Sequence, residues 1–183
     1  MEPKRFRKIQ EHLGVTSKER AGIVHSLALE ELKKRNGELL KEVPRKTRVY
    51  ENKKMGLWNI DLAGIGEAMV ELDEMHGERF LFVSSFNVGD PINKDSGLRK
   101  QKLGSILLNI IKGLAKREKK EAILLVCNGR VKEFYEKNGF VRFKSAGSDS
   151  DGTESHVMIF FLNPKLKDWF EKDPQGLIDE III

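Results

Sequence analysis

Apolar residues fall at Leu103, Leu107, Ile110, Ile111 and Leu114, in steps of three and four. That spacing lays one stripe along a helix face. Lys112, Lys116, Arg117, Lys119 and Lys120 crowd the outer face and the last turn, where cations suit the helix dipole. They read as a solvated surface. Residues 121–127 then form an apolar run too short for a helix that stands alone, which predicts a buried strand. Asn128 and Gly129 turn the chain into a second helix over residues 130–137. Asn138-Gly139 closes that helix with a C-terminal glycine, and Phe140 opens another strand. The order is turn, helix, strand, helix, strand.

Upstream, Phe6, Ile9 and Leu13 share one face of a short helix over residues 3–13. Residues 14–17 interrupt it. Thr16 or Ser17 caps a second helix that runs through Ile23, Leu27, Leu29 and Leu32 and stops at Asn36-Gly37. After Pro44 the period shortens. Residues 48–52 and 56–62 read as strands about a turn at 52–54, and residues 67–75 alternate, with Ala68, Val70 and Leu72 opposed to Met69, Glu71 and Asp73. Residues 76–78 turn, and residues 79–88 are strongly strand-like. Residues 89–97 are a polar link, either a lid or a tolerated insertion. Beyond Phe143, residues 145–155 read as a small-residue acidic loop and residues 156–162 as a final strand, paired back as a hairpin at the sheet edge. Trp169, Phe170, Leu177, Ile178, Ile181, Ile182 and Ile183 make a tail over residues 164–183 too apolar to leave in water. It is expected to pack on the domain or, as a homodimer, on a second subunit.

At 183 residues, the chain suits a single domain over residues 1–183, long enough to bury a core. Its only cysteine is Cys127, so no internal disulfide framework exists. At the end of a buried strand that thiol reads as a small hydrophobe rather than a nucleophile. No N-terminal stretch reads as a signal peptide and no apolar run is long enough for a membrane span, so no membrane partner and a cytoplasmic location are expected. The net charge of +5 comes from the first 54 residues, which include a basic helical segment over residues 1–44; the remainder is slightly acidic. Such an excess suits nucleic acid or merely a solubilising surface. The two N-terminal helices are open to two readings, a helix-turn-helix or the flank of an acceptor groove. His12, His25, His76 and His156 are scattered without ligand spacing, so no metal is expected. Asp149 and Asp151 read as solvated.

The basic turn before the long helix carries more chemistry. Arg99, Lys100, Gln101 and Lys102 precede Gly104 and Ser105 at a helix start. Free backbone N–H groups, the positive end of the dipole and a small residue together suit a phosphate.

Two segments resemble the GNAT superfamily of acyl-CoA-dependent N-acyltransferases. Its pyrophosphate loop has the form Gln/Arg-x-x-Gly-x-Gly/Ala before a long helix, similar here to Arg99-Lys100-Gln101-Lys102-Leu103-Gly104, with Lys102 where the first glycine is usual. Its later segment, Asn-x-x-Ala-x-x-Phe-Tyr-x-x-x-Gly-Phe, is similar to residues 128–140, with Val131 for the alanine. The resemblance implies an α/β (α+β) fold with a mixed, mostly antiparallel central sheet flanked by helices, here with a helical N-terminus. It implies an N-acetyltransferase that moves an acetyl group from acetyl-CoA, as co-substrate and without a metal, to a primary amine of a small molecule, a protein or an aminoacylated RNA. The rival expectation is a non-catalytic GNAT-fold or basic helical module that binds nucleic acid or a protein partner.

By the same resemblance, Arg99, Lys100, Gln101, Lys102, Leu103, Gly104 and Ser105 hold the pyrophosphate, and Phe86, Asn87 and Val88 offer backbone groups to the pantetheine arm. Tyr135 is the implied general acid; otherwise it is a core aromatic which, one position from Phe134, cannot share that residue's helix face. A phenol near ~10 can protonate a thiolate near ~8.5 when local surroundings narrow the gap. Asn128 either hydrogen-bonds the cofactor or a water, or caps the following helix. The general base stays open among Glu71, Asp73, Glu154, His156 and a water chain.

Overall fold

A computed structural model describes residues 17–33, 47–52, 57–62, 66–72, 79–88, 103–148 and 150–181. Helix α1 (Ser17–Lys33) leads into strands β1 (Thr47–Asn52), β2 (Leu57–Leu62), β3 (Gly66–Leu72) and β4 (Phe80–Val88). Helix α2 (Leu103–Arg117), strand β5 (Ala122–Asn128), a 3-10 turn (Gly129–Val131) and the short helix α3 (Lys132–Lys137) follow. Strands β6 (Val141–Ser148) and β7 (Glu154–Phe161) precede helices α4 (Pro164–Lys172) and α5 (Pro174–Glu180). The expected helix at 3–13, the stop at 36–37, the turns at 53–54 and 76–78, Asp73, the 89–97 link, the basic turn at 99–102, Asp149 and Ile182-Ile183 lie outside the described residues.

The strands form one seven-stranded sheet in the order β1-β2-β3-β4-β5-β7-β6. Every junction is antiparallel except β4–β5, which is parallel. The mixed, mostly antiparallel sheet flanked by helices is therefore as expected. The β6–β7 hairpin is longer than its sequence suggests. Pairing runs from Val141 with Ile159 to Ser148 with Glu154, so much of the stretch read as loop is strand. Two register irregularities, at Phe143 and Ala146, interrupt the pairing, as bulges do near a sheet edge.

Alternation along β5 explains its unbroken apolar run. Ile123, Leu125 and Cys127 join Met158 of β7 under α1, α2 and α3. Ala122 and Leu124 join Val157 and Ile159 on the opposite face, against Leu166, Leu177 and Ile181 of the tail. Up to Leu125 the strand is covered on both sides and has no polar face to show, while Val126 beyond it is 59% exposed. The described part of the tail thus takes the chain's own sheet as its partner. Asn163 caps α4 by accepting from the Lys165 N–H at 3.0 Å, and Asp173 caps α5 by accepting from the Gly176 N–H at 2.9 Å.

Helix α1 lies antiparallel along α2. Gly113 makes the close approach possible, because a Cβ there would sit 2.7 Å from Leu27 Cδ2. Near the start of α1, Arg20 donates from Nε and Nη2 to the two carboxylate oxygens of Glu118, the second bond at 3.0 Å. Both side chains are buried, at 3% and 5% exposure. Further along, Asn109 donates to Glu31 at 2.9 Å. No described helix is long and apolar enough to cross a membrane.

Candidate active site

Strands β4 and β5 start together and then part. Their parallel pairing runs only from Phe80 with Ala122 to Val83 with Leu125, although β4 continues to Val88 and β5 to Asn128. The cause lies on the other edge of β4. Met69 pairs with Ser85 and Val70 with Val83, so Ser84 is an extra residue, and such a bulge bends its strand. Past it, Phe86, Asn87 and Val88 still pair with Ala68, Glu67 and Gly66 of β3. Among the described residues the edge of β4 that faces β5 has no strand partner there. Backbone donors and acceptors on such an edge call for another occupant.

The opposite end of the pair is closed. The Glu121 N–H donates to the Arg79 carbonyl at 2.7 Å, and the Leu162 and Asn163 N–H groups donate to the Glu121 carbonyl at 2.8 and 2.9 Å. Arg79 donates twice, at 3.0 Å each, to the Glu121 carboxylate, and Asn163 Nδ2 adds a bond at 3.3 Å. The Arg79 hydrogen bond holds the Glu121 carboxyl below its ordinary range. Helix α2 returns the chain from the open end to this closed one. At ~1.5 Å per residue its 15 residues span about 22 Å, which carries its N-terminus back toward the end where β4 and β5 part. That is where crossover folds bind ligands. Leu103 is the first helical residue, Gly104 is buried and Ser105 is partly exposed.

Helix α3 fills the angle between the strands with aromatic rings. Phe86 of β4 lies 6.2 Å from the Phe134 ring and 6.1 Å from the Tyr135 ring, centroid to centroid. Phe134 and Tyr135 are 5.1 Å apart edge to face, and Tyr135 is 5.8 Å from Phe140. The expectation that Phe134 and Tyr135 face apart is corrected here: both pack on the same cluster. A helix of six residues set in the fork of two strands has a wide contact arc, so adjacent positions both reach apolar neighbours. Tyr135 is 6% exposed. Burial, reinforced by the nearby Cys127, pushes its phenol up to about 12. The surroundings thus widen the gap to a thiol rather than narrow it, and keep the phenol a proton donor at any working pH. The Cys127 thiol is also pushed up, chiefly by burial and then by Glu136, which suits a packed hydrophobe.

Lys112 departs from the solvated surface expected of it. It is half-buried, donates to the Asn138 carbonyl at the end of α3, and stands 4.2 Å from the Phe160 ring centroid. Burial lowers its pKa. A cation over an aromatic face and at a helix C-terminus is favourable on both counts, so Lys112 ties α2 to α3.

Asn128 acts as a cap: its Oδ1 accepts from the Arg130 N–H at 2.9 Å. Beyond it, Gly129 packs against β7. A Cβ on Gly129 would lie 3.0 Å from the Glu154 carbonyl oxygen and 3.6 Å from His156 Nε2. His156 is 5% exposed and its Nδ1 is buried without a hydrogen-bond partner, which costs roughly 1–3 kcal/mol in a site of fixed structure. The nearest carboxylate oxygen, Glu154 Oε1, is 3.6 Å away and accepts from Arg142 at 2.7 Å. Of the candidate bases, Glu154 and His156 come together near Gly129, while Glu71 lies on β3. Asp151 accepts from Arg130 at 2.6 Å and from the Thr153 N–H at 3.0 Å, and Thr153 holds its carboxyl low. No cluster of three metal-ligating side chains occurs among the described residues.

No protein-family model matches the chain, and no curated protein matches it. Solved structures do. Ard1 from Thermoplasma volcanium is 18% identical, over 58% of this chain and 70% of its own, with a TM-score of 0.44. An acetyltransferase from Bacillus cereus is 19% identical, over 73% and 85%, with a TM-score of 0.41. A chimeric spermidine N-acetyltransferase from Vibrio cholerae is 14% identical, over 63% and 78%, with a TM-score of 0.44.

Proposed function

We propose that the chain is a GNAT-type N-acetyltransferase, which moves an acetyl group from acetyl-CoA to a primary amine. The observation that carries this reading is the parting of β4 from β5 at Val83 and Leu125, with Tyr135 of α3 set beside the open strand edge. The residues there fit an acyl-CoA. An extended pantetheine arm carries amide groups that can hydrogen-bond the free edge of Phe86, Asn87 and Val88. A diphosphate suits the N-terminus of α2, where Leu103, Gly104 and Ser105 follow the basic residues Arg99, Lys100 and Lys102 and the amide of Gln101 in sequence. The bound thioester supplies the activated acetyl group.

The chain's own residues do the rest. The apolar wall of Phe86, Phe134 and Phe140 excludes water, which protects a thioester from hydrolysis. The Tyr135 phenol, protonated at all working pH, gives its proton to the sulfur as the C–S bond breaks, a transfer that its raised pKa makes more uphill than for a free phenol. Asn128 fixes the turn that aims α3 into the fork, which makes it a positioning residue.

Two measurements test this. Acetyl-CoA is expected to raise the melting temperature more than adenosine 3′,5′-bisphosphate, because only the former can occupy the strand edge. Thiol release from acetyl-CoA is expected with at least one member of a panel holding a polyamine, a lysine ester and a peptide with a free N-terminus. No thermal shift and no thiol release from acetyl-CoA would sink the reading.

A further inference from the structure

The unpartnered Nδ1 of His156 is not explained by packing alone. His156 stands opposite Cys127 in the β5–β7 register, so both side chains share the face covered by α3. Cys127 in turn is near enough to Tyr135 to act on its phenol. The imidazole therefore sits one strand across from the aromatic cluster, at the level where β5 has already left β4. Its Nδ1 has a carboxylate at 3.6 Å, just outside hydrogen-bonding distance. Its Nε2 lies on the side of Gly129, 3.6 Å from the point a Cβ there would occupy. Gly129 is partly exposed, so the backbone beside Nε2 reaches solvent.

We propose that His156 is the proton acceptor of the acyl transfer, working at Nε2, with Glu154 orienting the ring from Nδ1. This rests on the acetyltransferase reading and names the base which that reading left open. The balance closes. The amine lone pair forms the C–N bond to the acetyl carbonyl carbon and the C–S bond breaks. The sulfur takes the Tyr135 proton, and the amine proton passes to His156. The imidazolium proton then returns through solvent to the phenolate, which restores both groups. Glu154 offsets the charge on the imidazolium while it lasts, in the manner of a carboxylate that orients a histidine base. The charged and titratable groups facing the imidazole are Glu154, Arg142 through Glu154, Cys127 and, beyond it, Tyr135.

The test uses the full chain with acetyl-CoA and the same amine panel. His156→Gln keeps a polar side chain but accepts no proton. It is expected to lower kcat at least 100-fold with the KM for acetyl-CoA within twofold of the parent. Glu154→Gln, at a half-exposed position that threatens folding little, is expected to lower kcat about tenfold. In long-range 1H–15N spectra of the ligand-free protein, His156 is expected as the Nδ1–H tautomer, and Glu154→Gln is expected to shift that tautomer balance. Parent-like turnover in His156→Gln, or parent-like turnover and tautomer in Glu154→Gln should the first variant fail to fold, overturns this inference alone. A parent chain that neither binds acetyl-CoA nor releases thiol removes the acetyltransferase reading, and this inference with it.

Discussion

The two ends of the β4–β5 pair behave as opposites. At one end Arg79, Glu121 and Asn163 close the strands with a network of backbone and side-chain hydrogen bonds. Glu118 fastens α1 to the same end of α2 through the buried Arg20. At the other end the strands part, a bulge at Ser84 turns β4 aside, and His156 keeps a buried nitrogen with no partner. The polar groups of the first end are spent on holding the structure; those of the second are left for something else to meet. Stability and reactivity are thus separated along a single pair of strands.

The comparison makes predictions that can break it, the largest first. Glu118→Ala removes the carboxylate that neutralises the buried Arg20 guanidinium. It is expected to cost about 3–5 kcal/mol of stability, read by urea unfolding, while the folded fraction at low temperature still binds acetyl-CoA. Tyr135→Phe is expected to do the reverse. Thiol release is expected to fall at least 100-fold, equivalent to about 2.7 kcal/mol in the barrier, with the melting temperature nearly unchanged. With the phenol near 12, the parent rate is expected to show no alkaline fall near pH 10 from loss of this acid. A fall there that disappears in Tyr135→Phe would contradict the burial argument.

Smaller effects sharpen the contrast. Gly139 has φ +81° and an added Cβ would lie 3.3 Å from Phe160 Cε2. Gly139→Ala is expected to cost about 1–2 kcal/mol in thermal unfolding, through the seat of α3. Glu121→Gln is expected to cost about 1 kcal/mol, since its partner Arg79 is partly solvated. Its sign with pH is fixed. The folded carboxyl lies below its ordinary value of 4.5, so its contribution is complete above that pH and is lost as pH falls through the lower folded value. Acid-unfolding curves of the parent and Glu121→Gln are expected to converge there.

What could be read beforehand follows the range of the forces involved. The order from α2 to β6 was visible because its signals are local: the stripe from Leu103 to Leu114, the cap at Asn128, the positive φ at Gly139. The β1–β4 meander was visible for the same reason. Long-range events were not. Nothing near Ser84 announces a bulge, because it depends on the register with β3. Lys112 looked solvated because Asn138 and Phe160, which half-bury it, are distant in sequence. Phe134 and Tyr135 looked divergent because helix periodicity knows nothing of a fork between strands. Gly129 reads as a turn residue from sequence alone; only its packing against β7 shows that a Cβ there would crowd the Glu154 carbonyl. His156 was visible as one of several candidate bases, without any sign that its Nδ1 would be left bare.

One further consequence concerns how the chain assembles. Strands β1 to β4 are neighbours in sequence, and β5, β7 and β6 form a second local group. Among the described strands the groups meet along four rungs, Phe80 to Val83 against Ala122 to Leu125. Each group needs only short loop closures, whereas the seam must wait for the long crossover through α2. Amide protons on those rungs should therefore report the concerted opening of the whole sheet in hydrogen exchange, and substitutions at Leu81 or Leu124 should slow refolding more than comparable ones in the meander.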